Sequence, residues 1–293
     1  MSKDVSVLVV IYGCFGRSYE ITRTNHEQKI FSVLRQEGIA FQRVYIDNVV
    51  NQIDGVDVSE YNFSQDAPDT LIRLNQPELD AAIIDEYTSF ENLFSAPYYN
   101  DSVRFSALRN SFLESKVAEQ LYKMDESVHY TIVFNSDLWF EKDWNLCWQF
   151  CDEIVVGDQN PAHGYTNGFY SGPREKVAIL LDSFKTLGDL KPIDFEHVSW
   201  LRGEQQGITV LEEDFRFLKI RATHAPAYMG MWFLWSRLWK IAPDYFAKAK
   251  ISFGLRMKYF ILKLPADVWR IVFLRAKVLF KQSAKKMMFF WRQ

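Results

Sequence analysis

The most chemically informative residue of the sequence is an aspartate that ends a predicted buried strand. The apolar run from Tyr130 to Phe134 stops at Asn135-Ser136-Asp137. In open α/β sheets, ligands bind beyond the carboxyl ends of the strands. A carboxylate at that place is a hard oxygen ligand suited to Mg²⁺ or Mn²⁺, ions that can bridge the oxygens of a diphosphate. The alternative is an ordinary turn, because Asn, Ser and Asp also end strands for local reasons.

Arginines near the same place could neutralise phosphate charge. Arg17 follows the first predicted strand, so we expect it at the same edge as Asp137, where a guanidinium can pair bidentately with phosphate. A solvated arginine in a turn is the alternative interpretation. Arg104 and Arg109 lie five positions apart on one predicted helix, so they do not share a face squarely. One of them could therefore reach the ligand while the other is exposed.

The elements that must position these residues follow from hydrophobic periodicity. The run SVLVVIY predicts a strand, Gly13 to Arg17 a glycine turn, residues 25–38 a helix, and FQRVYI a second strand. This order is a βαβ unit, which begins a parallel sheet. Residues 102–124 predict a long helix that leads directly into the strand before Asp137.

The remaining segments are less regular. Residues 48–100 are polar and hard to assign, although 77–87 could be helical. Further predicted elements are a short strand at Ile154, a strand and turn from Gly168, a helix over 173–187, a helix over 204–213, and a strand over 215–222. The sequence therefore predicts an α/β fold.

Composition limits the function classes. Among the 293 residues, 48% are apolar, 24% charged and 16% aromatic, which is typical of a globular protein. Three cysteines without a CxxC spacing favour neither a disulfide framework nor a zinc site, so we expect a reducing, cytoplasmic compartment. The apolar N-terminal run is too short for a membrane span and lacks a positive flank, so we interpret it as a buried strand rather than a signal peptide.

The order of features over residues 5–225 resembles nucleotide-sugar glycosyltransferases of the GT-A type, in particular small ones of bacterial polysaccharide clusters and large DNA viruses. The resemblance lies in VVIYGCFGRSYEITRTN, in RFSALRNSFLESKVAEQL followed by YTIVFNSDLWF, and in GEQQGITVLEEDFRFLKIRA. It implies a GT-A-like, Rossmann-type mixed sheet flanked by helices over residues 1–230. It also implies a nucleotide-sugar donor, a glycan or lipid-linked acceptor, and a divalent cation, Mn²⁺ or Mg²⁺.

The resemblance also suggests roles for particular residues. It places Arg109 near the donor, together with Arg17, Asn135 and Asp137. Many GT-A enzymes carry Asp-x-Asp where this chain has Asn135-Ser136-Asp137, so a single carboxylate is left for a metal, and a weaker site or none is open. His224 could be a second metal ligand, as a C-terminal histidine is in some GT-A enzymes; a hydrogen-bonded loop histidine is the alternative.

An inverting transferase also needs a base that takes the proton of the acceptor hydroxyl. The candidates are Glu204, Asp158 and Glu213. Glu204 is preferred because it is predicted to open a helix, where a carboxylate also simply complements the helix dipole. Asp158, with His163, could line the acceptor side, and a solvated loop is the alternative.

Residues 231–293 form a basic aromatic tail. From Lys250 to Gln293 there are eleven Lys and Arg and a single acid, whereas the preceding residues are acidic on balance. Charges interrupt every apolar run, so we expect a helical tail that lies on a membrane surface, through residues 250–293, rather than crossing the membrane. Packing against the domain is an alternative, and nucleic acid is disfavoured because the body is acidic.

Other functions remain as alternatives. A catalytically inactive, membrane-associated scaffold with the same fold is one, because Asp137 lacks its usual acidic partner. A Rossmann methyltransferase is another, although GCFG is too short for a GxGxxG fingerprint. No GxSxG, P-loop or zinc-protease pattern is present in the sequence.

Overall fold

The structure is a computed structural model, and it describes residues 6–53, 56–87, 93–95, 100–144, 152–157, 165, 167–213, 215, 217–220 and 226–227. Residue contacts divide the chain into two units, Met1–Ala227 and Tyr228–Gln293. The second unit, and with it the predicted basic tail, lies outside the described residues. Within the described ranges, no helix is long and apolar enough to span a membrane.

The described unit alternates strands and helices along the chain. The strands are β1 Ser6–Gly13, β2 Ala40–Val49, β3 Gln52–Ile53, β4 Val56–Asp57, β5 Thr70–Asn75, β6 Val128–Asn135, β7 Leu138–Phe140, β8 Ile154–Gly157, β9 Phe169–Pro173, β10 Val210–Glu213, β11 Phe217–Ile220 and β12 Pro226–Ala227. The α-helices are α1 Phe15–His26, α2 Ser32–Gln36, α3 Gln76–Glu86, α4 Asp101–Lys123, α5 Arg174–Leu181, α6 Leu187–Leu190 and α7 Phe195–Gln206. A π-helical turn, Glu27–Phe31, joins α1 to α2, and short 3₁₀ turns lie at Phe63–Gln65 and Phe184–Thr186.

Seven of the described strands form one mixed sheet in the order β10-β8-β9-β6-β1-β2-β5. β9 is antiparallel to its neighbours β6 and β8, and the other pairings are parallel. The predicted α/β class, a mixed sheet flanked by helices, is confirmed. Because β1, β2 and β6 are parallel, their carboxyl ends meet at one edge of the sheet.

The central strands of the sheet are buried on both faces, as expected for parallel strands between helices. Residues 7–11 of β1 are fully buried, and alternate side chains belong to two apolar clusters. Leu8 and Val10 pack in the cluster that includes α3, α4, α5 and α7. Val7 and Val9 pack in the cluster that includes α1 and the aromatic residues of β7. The first strand is therefore the centre of the fold.

The first helix begins earlier than predicted. We expected it from Asn25, but α1 starts at Phe15, directly after β1. Of the two glycines at this junction, Gly13 has a positive φ, 122°, and Gly16 is helical, so they do not form a long turn. The carboxylate of Asp47 in β2 accepts the Phe15 N–H at 3.1 Å and caps the helix from a neighbouring strand. The sequence gives no local sign of such a cap.

The predicted helix over residues 204–213 is wrong. Asp194 caps α7, since its side chain accepts the His197 N–H at 3.0 Å, and the helix ends at Gly207, which has φ 63°. The chain then forms β10. Glu204 therefore lies in the last turn of a helix and not in the first. The predicted helix over 173–187 is also shorter, because α5 ends at Leu181.

Candidate functional site

A polar cavity of about 570 Å³ opens at the carboxyl ends of β1, β2 and β6. Its volume lies in the range of sites for small molecules and cofactors. The cavity is lined by Gly13, Cys14, Arg17, Asn48, Val50, Gln52, Ile53, Gln76, Ser102, Ser106, Arg109, Asn110, Leu113, Asn135, Ser136 and Asp137. Four residues that the sequence suggested for donor binding, Arg17, Arg109, Asn135 and Asp137, are therefore brought together.

The segment that carries Asp137 is held by a buried polar face of α1. The Thr22 hydroxyl donates to the Ser136 carbonyl at 2.7 Å, and His26 Nε2 lies 2.6 Å from the Leu138 carbonyl. Asn25 donates to the Phe140 carbonyl and accepts the Phe140 N–H. These positions share one helix face because they are three or four residues apart. The backbone around Asp137 is thus fixed before any ligand binds.

Arg17 and Asp137 form an ion pair beyond the carboxyl ends of β1 and β6. Arg17 Nη1 lies 3.0 Å from Asp137 Oδ2, and the side chains are 25% and 8% exposed. Arg17 Nε is enclosed and has no hydrogen-bond partner among the described residues. The predicted placement of the two residues at one edge is confirmed, while their roles stay a proposal.

Beneath the cavity, Glu114 of α4 accepts hydrogen bonds from two tyrosines. The Tyr12 hydroxyl donates at 2.9 Å and the Tyr170 hydroxyl at 3.3 Å. Asn135 Nδ2 in turn donates to the Tyr12 oxygen at 3.3 Å. Burial raises the pKa of Glu114 to about 7, while the hydrogen bonds from both tyrosines oppose this rise. A buried acid therefore orients the amide that lines the cavity.

Asn48 is a site residue that the sequence analysis missed. It follows the buried centre of β2, is 7% exposed, and lines the cavity. Its Oδ1 has no hydrogen-bond partner among the described residues. A buried acceptor without a partner is costly, so this oxygen suits an N–H or O–H group of a ligand. Its position shortly after the predicted strand FQRVYI was the available signal, of the same kind as the one that pointed to Asp137.

Arg109 lies on the opposite wall of the cavity, on α4. Asp80 of α3 clamps it through two hydrogen bonds of 2.7 Å, from Nε and Nη2, and the guanidinium lies 4.7 Å from the centre of the Phe105 ring. Arg104 instead donates to the Leu93 carbonyl and pairs with Asp101. The choice of Arg109 over Arg104 as the cavity residue agrees with this arrangement.

A second polar group lies beside Asn135 at the same edge. Asn167 accepts from Lys219 Nζ at 2.7 Å and donates to Glu196 Oε1 at 3.0 Å. Gly168, which has φ 94°, separates Asn135 from Lys219, since an added Cβ would lie 2.8 Å from Asn135 Nδ2. Glu196 is in the first turn of α7, so a carboxylate does lie near this edge.

The structure does not bring Glu204 to the cavity. Glu204 is exposed near the end of α7, and the chain passes from there to the start of β10, which is parallel to β8. It therefore lies towards the amino ends of the parallel strands, opposite Asp137. Asp158, His163 and His224 lie outside the described residues.

The described residues do not supply a site for the divalent cation that the resemblance implies. The one carboxylate of Asp137 already accepts from Arg17 through Oδ2, and the Asn135 amide nitrogen donates to Tyr12. Within the described part of the chain, no three His, Cys, Asp or Glu side chains lie close enough to hold a metal ion. We therefore assign no chemical step to a cation.

Comparisons with known proteins add little to this geometry. No protein-family model matches the chain, and no curated protein matches it significantly. Among solved structures, the apo form of mouse xyloside xylosyltransferase 1 is similar over 71% of this chain and 84% of that chain, with 10% sequence identity and a TM-score of 0.37. A likeness of this size carries no argument about activity.

Proposed function

We propose that the chain is a glycosyltransferase that takes a sugar from a nucleotide-sugar donor. The observation that carries the proposal is the polar cavity at the carboxyl ends of β1, β2 and β6, with two guanidinium groups and a buried acceptor oxygen in its walls. Ligands of open α/β sheets bind at this edge. The two guanidinium groups complement the negative charge of a diphosphate. The unpaired Oδ1 of Asn48 can accept a hydrogen bond from an N–H or O–H group of a nucleoside.

In the proposed complex, Arg17 and Arg109 pair with the diphosphate. They stabilise the negative charge that grows on the leaving nucleoside diphosphate as the glycosidic bond to the sugar breaks. Asn48 Oδ1 accepts a hydrogen bond from the nucleoside. Preorganised donors are effective in this role because they need no rearrangement at the moment of reaction.

The acceptor side requires a different acid from the one that the sequence favoured. Glu204 lies towards the amino ends of the parallel strands, so it cannot take a proton near Asp137 at their carboxyl ends. We propose Glu196 as the acceptor-side base of an inverting reaction, because it accepts a hydrogen bond from Asn167 at the same edge of the sheet. The next residue, Gly168, accepts the N–H of the cavity residue Asn135 at 2.9 Å. Asp158, with His163, stays a prediction for the acceptor side that rests on the sequence alone.

The first test is thermal stabilisation of the full chain by UDP, GDP, CDP, ADP, their sugar conjugates and S-adenosylmethionine. A ligand that binds only the folded state raises its apparent stability. We expect stabilisation by one nucleoside diphosphate and its sugar conjugate. No response in a folded protein would refute the proposal in favour of the scaffold, and a response to S-adenosylmethionine alone would favour the methyltransferase.

A pair of matched variants then tests the base. With the sugar conjugate that binds and a glycan acceptor, Glu196→Gln should lower turnover by about 10²-fold or more, the usual contribution of a general base. Glu204→Gln, the same change on the same helix, should leave turnover unchanged. Equal effects of the two changes would contradict the assignment of Glu196.

The proposed acceptor is a glycan or a lipid-linked sugar near a membrane. This part of the proposal rests on the basic aromatic composition of residues 250–293, where cations attract anionic lipids and aromatic rings prefer the interface. A tail on the membrane surface would suit a transferase whose acceptor is lipid-linked or displayed near a membrane.

A further inference from the structure

The ion pair of Arg17 and Asp137 occupies the point at which the resemblance predicts a metal ion. We infer that the Arg17 guanidinium, held by Asp137, replaces the divalent cation, so that this chain binds a nucleoside diphosphate without a metal. The inference rests on the proposed function and specifies how its donor is held. It follows from the contacts of the two residues.

Asp137 is poorly placed to exchange Arg17 for a metal ion. Its carboxylate is 8% exposed. Its backbone carbonyl accepts the Ile220 N–H at 2.7 Å, a further hydrogen bond that fixes the segment already bound by α1. A metal on Oδ2 would have to displace the guanidinium. That would leave a partly buried cation without its counter-ion, a costly state.

Arg17 has donors left for an anion after it has paired with Asp137. A guanidinium carries five N–H groups, and the hydrogen bond to Asp137 uses one nitrogen, Nη1. The enclosed Nε has no partner among the described residues, although the side chain lines the cavity. Nη2 also has no hydrogen-bond partner among the described residues and is not enclosed, so a phosphate oxygen in the cavity can accept from it.

The N-terminus of α1 is a second source of positive potential beside the cavity, and one of its N–H donors is already bound to a carboxylate. The N-terminus of a helix attracts anions, but the first N–H of α1, that of Phe15, donates to the Asp47 carboxylate at 3.1 Å. The Asp47 carboxylate therefore offsets part of the positive potential of α1, and the side chains of the cavity supply further donors to the diphosphate. Arg109 complements Arg17, because the clamp by Asp80 uses its Nε and Nη2 and leaves Nη1 for the cavity.

The test is calorimetric titration of the full chain with UDP, GDP, CDP and ADP, once in EDTA and once in MnCl₂. We expect at least one nucleotide to bind in EDTA, with a Kd within about threefold of the value in Mn²⁺. Arg17→Gln should raise this Kd about 10- to 100-fold in both buffers, as the loss of a charge-assisted contact predicts. Arg43→Gln, an arginine that donates to the Ala67 carbonyl outside the cavity, is the matched control.

Asp137→Asn separates the two interpretations. The amide oxygen can still accept from Arg17, but the charge beside the diphosphate is lost, so the Kd in EDTA and the Kd in MnCl₂ should change by the same factor. If Asp137 were a metal ligand, the same change would abolish a Mn²⁺-dependent affinity.

Two outcomes would overturn the inference, and they differ in what else they refute. Binding that occurs only with Mn²⁺, and that Asp137→Asn or His224→Ala removes, would refute the role of Arg17 but leave the proposed function intact. Binding of no nucleotide in either buffer, by a protein that unfolds cooperatively, would refute both. The wild-type comparison needs no variant, so it stands even if Arg17→Gln fails to fold.

Discussion

Replacing Glu114 by glutamine should make the protein markedly more stable at high pH. Glu114 is 4% exposed and accepts hydrogen bonds from Tyr12 and Tyr170. Burial raises its pKa from the ordinary value of 4.5 to about 7. The charged form is therefore disfavoured in the folded state. Glutamine keeps an oxygen that accepts from both tyrosines and carries no charge.

The direction of the effect follows from proton linkage. Between pH 4.5 and about 7 the folded protein binds the Glu114 proton more tightly than the unfolded chain does. The free energy of unfolding therefore falls as the pH rises through this window, and above pH 7 the loss is complete. At 1.36 kcal/mol per pH unit, the interval corresponds to about 3 kcal/mol.

The assay is urea denaturation of the full-length wild type and the Glu114→Gln variant at pH 5 and at pH 8. The variant should gain about 2.5 kcal/mol relative to the wild type between the two values, because part of the loss has already occurred at pH 5. Burial also raises the pKa of Asp47 to about 6 and lowers that of His26 to about 4, but these groups are present in both proteins and cancel in the difference. Parallel pH profiles of the two proteins would refute the reasoning.

Two further predictions concern the start of α1 and the tail. Gly16→Ala should destabilise the fold by about 1–3 kcal/mol, because the new Cβ would lie 2.1 Å from the Ser59 carbonyl oxygen. The control is Gly188→Ala, at an exposed helical position with open space around it, which should be neutral or stabilising by up to about 1 kcal/mol. Both variants are measured by urea denaturation. Equal changes in their free energies of unfolding would contradict the close packing at Gly16. The full chain should sediment with anionic but not zwitterionic vesicles and be released by high salt, as residues 250–293 predict; equal binding to both vesicle types would refute an electrostatic tail.

The sequence by itself determined the central elements. The apolar runs of β1 and β6, the segment FQRVYI of β2 and the long periodic helix α4 appear where they were expected, because these signals are local and span many residues. The polar residue after a buried strand also predicted at which edge of the sheet the cavity lies. Arg17 and Asp137 could be assigned to it on that basis, and Arg109 on the family resemblance.

Shorter and more polar segments could not be read in the same way. β5 lies in a stretch that gave no clear pattern, and α7 was placed several residues too late, because the ends of short helices depend on caps rather than on periodicity. Asp194 and Gly207 are ordinary cap residues, but similar residues occur throughout the chain. Because the helix was predicted to begin at residue 204, Glu204 was interpreted as an acid in its first turn.

Only the tertiary structure decided how the site residues are paired. Arg17 and Asp137 are 120 positions apart, and their contact depends on the register of β1 against β6 and on the packing of α1. The burial of Glu114 and the unpartnered oxygen of Asn48 depend in the same way on which elements cover them. Periodicity shows which face of an element is buried, but the partner across the interface is fixed by the packing of the whole domain, and that partner sets the charge and hydrogen bonding of the site.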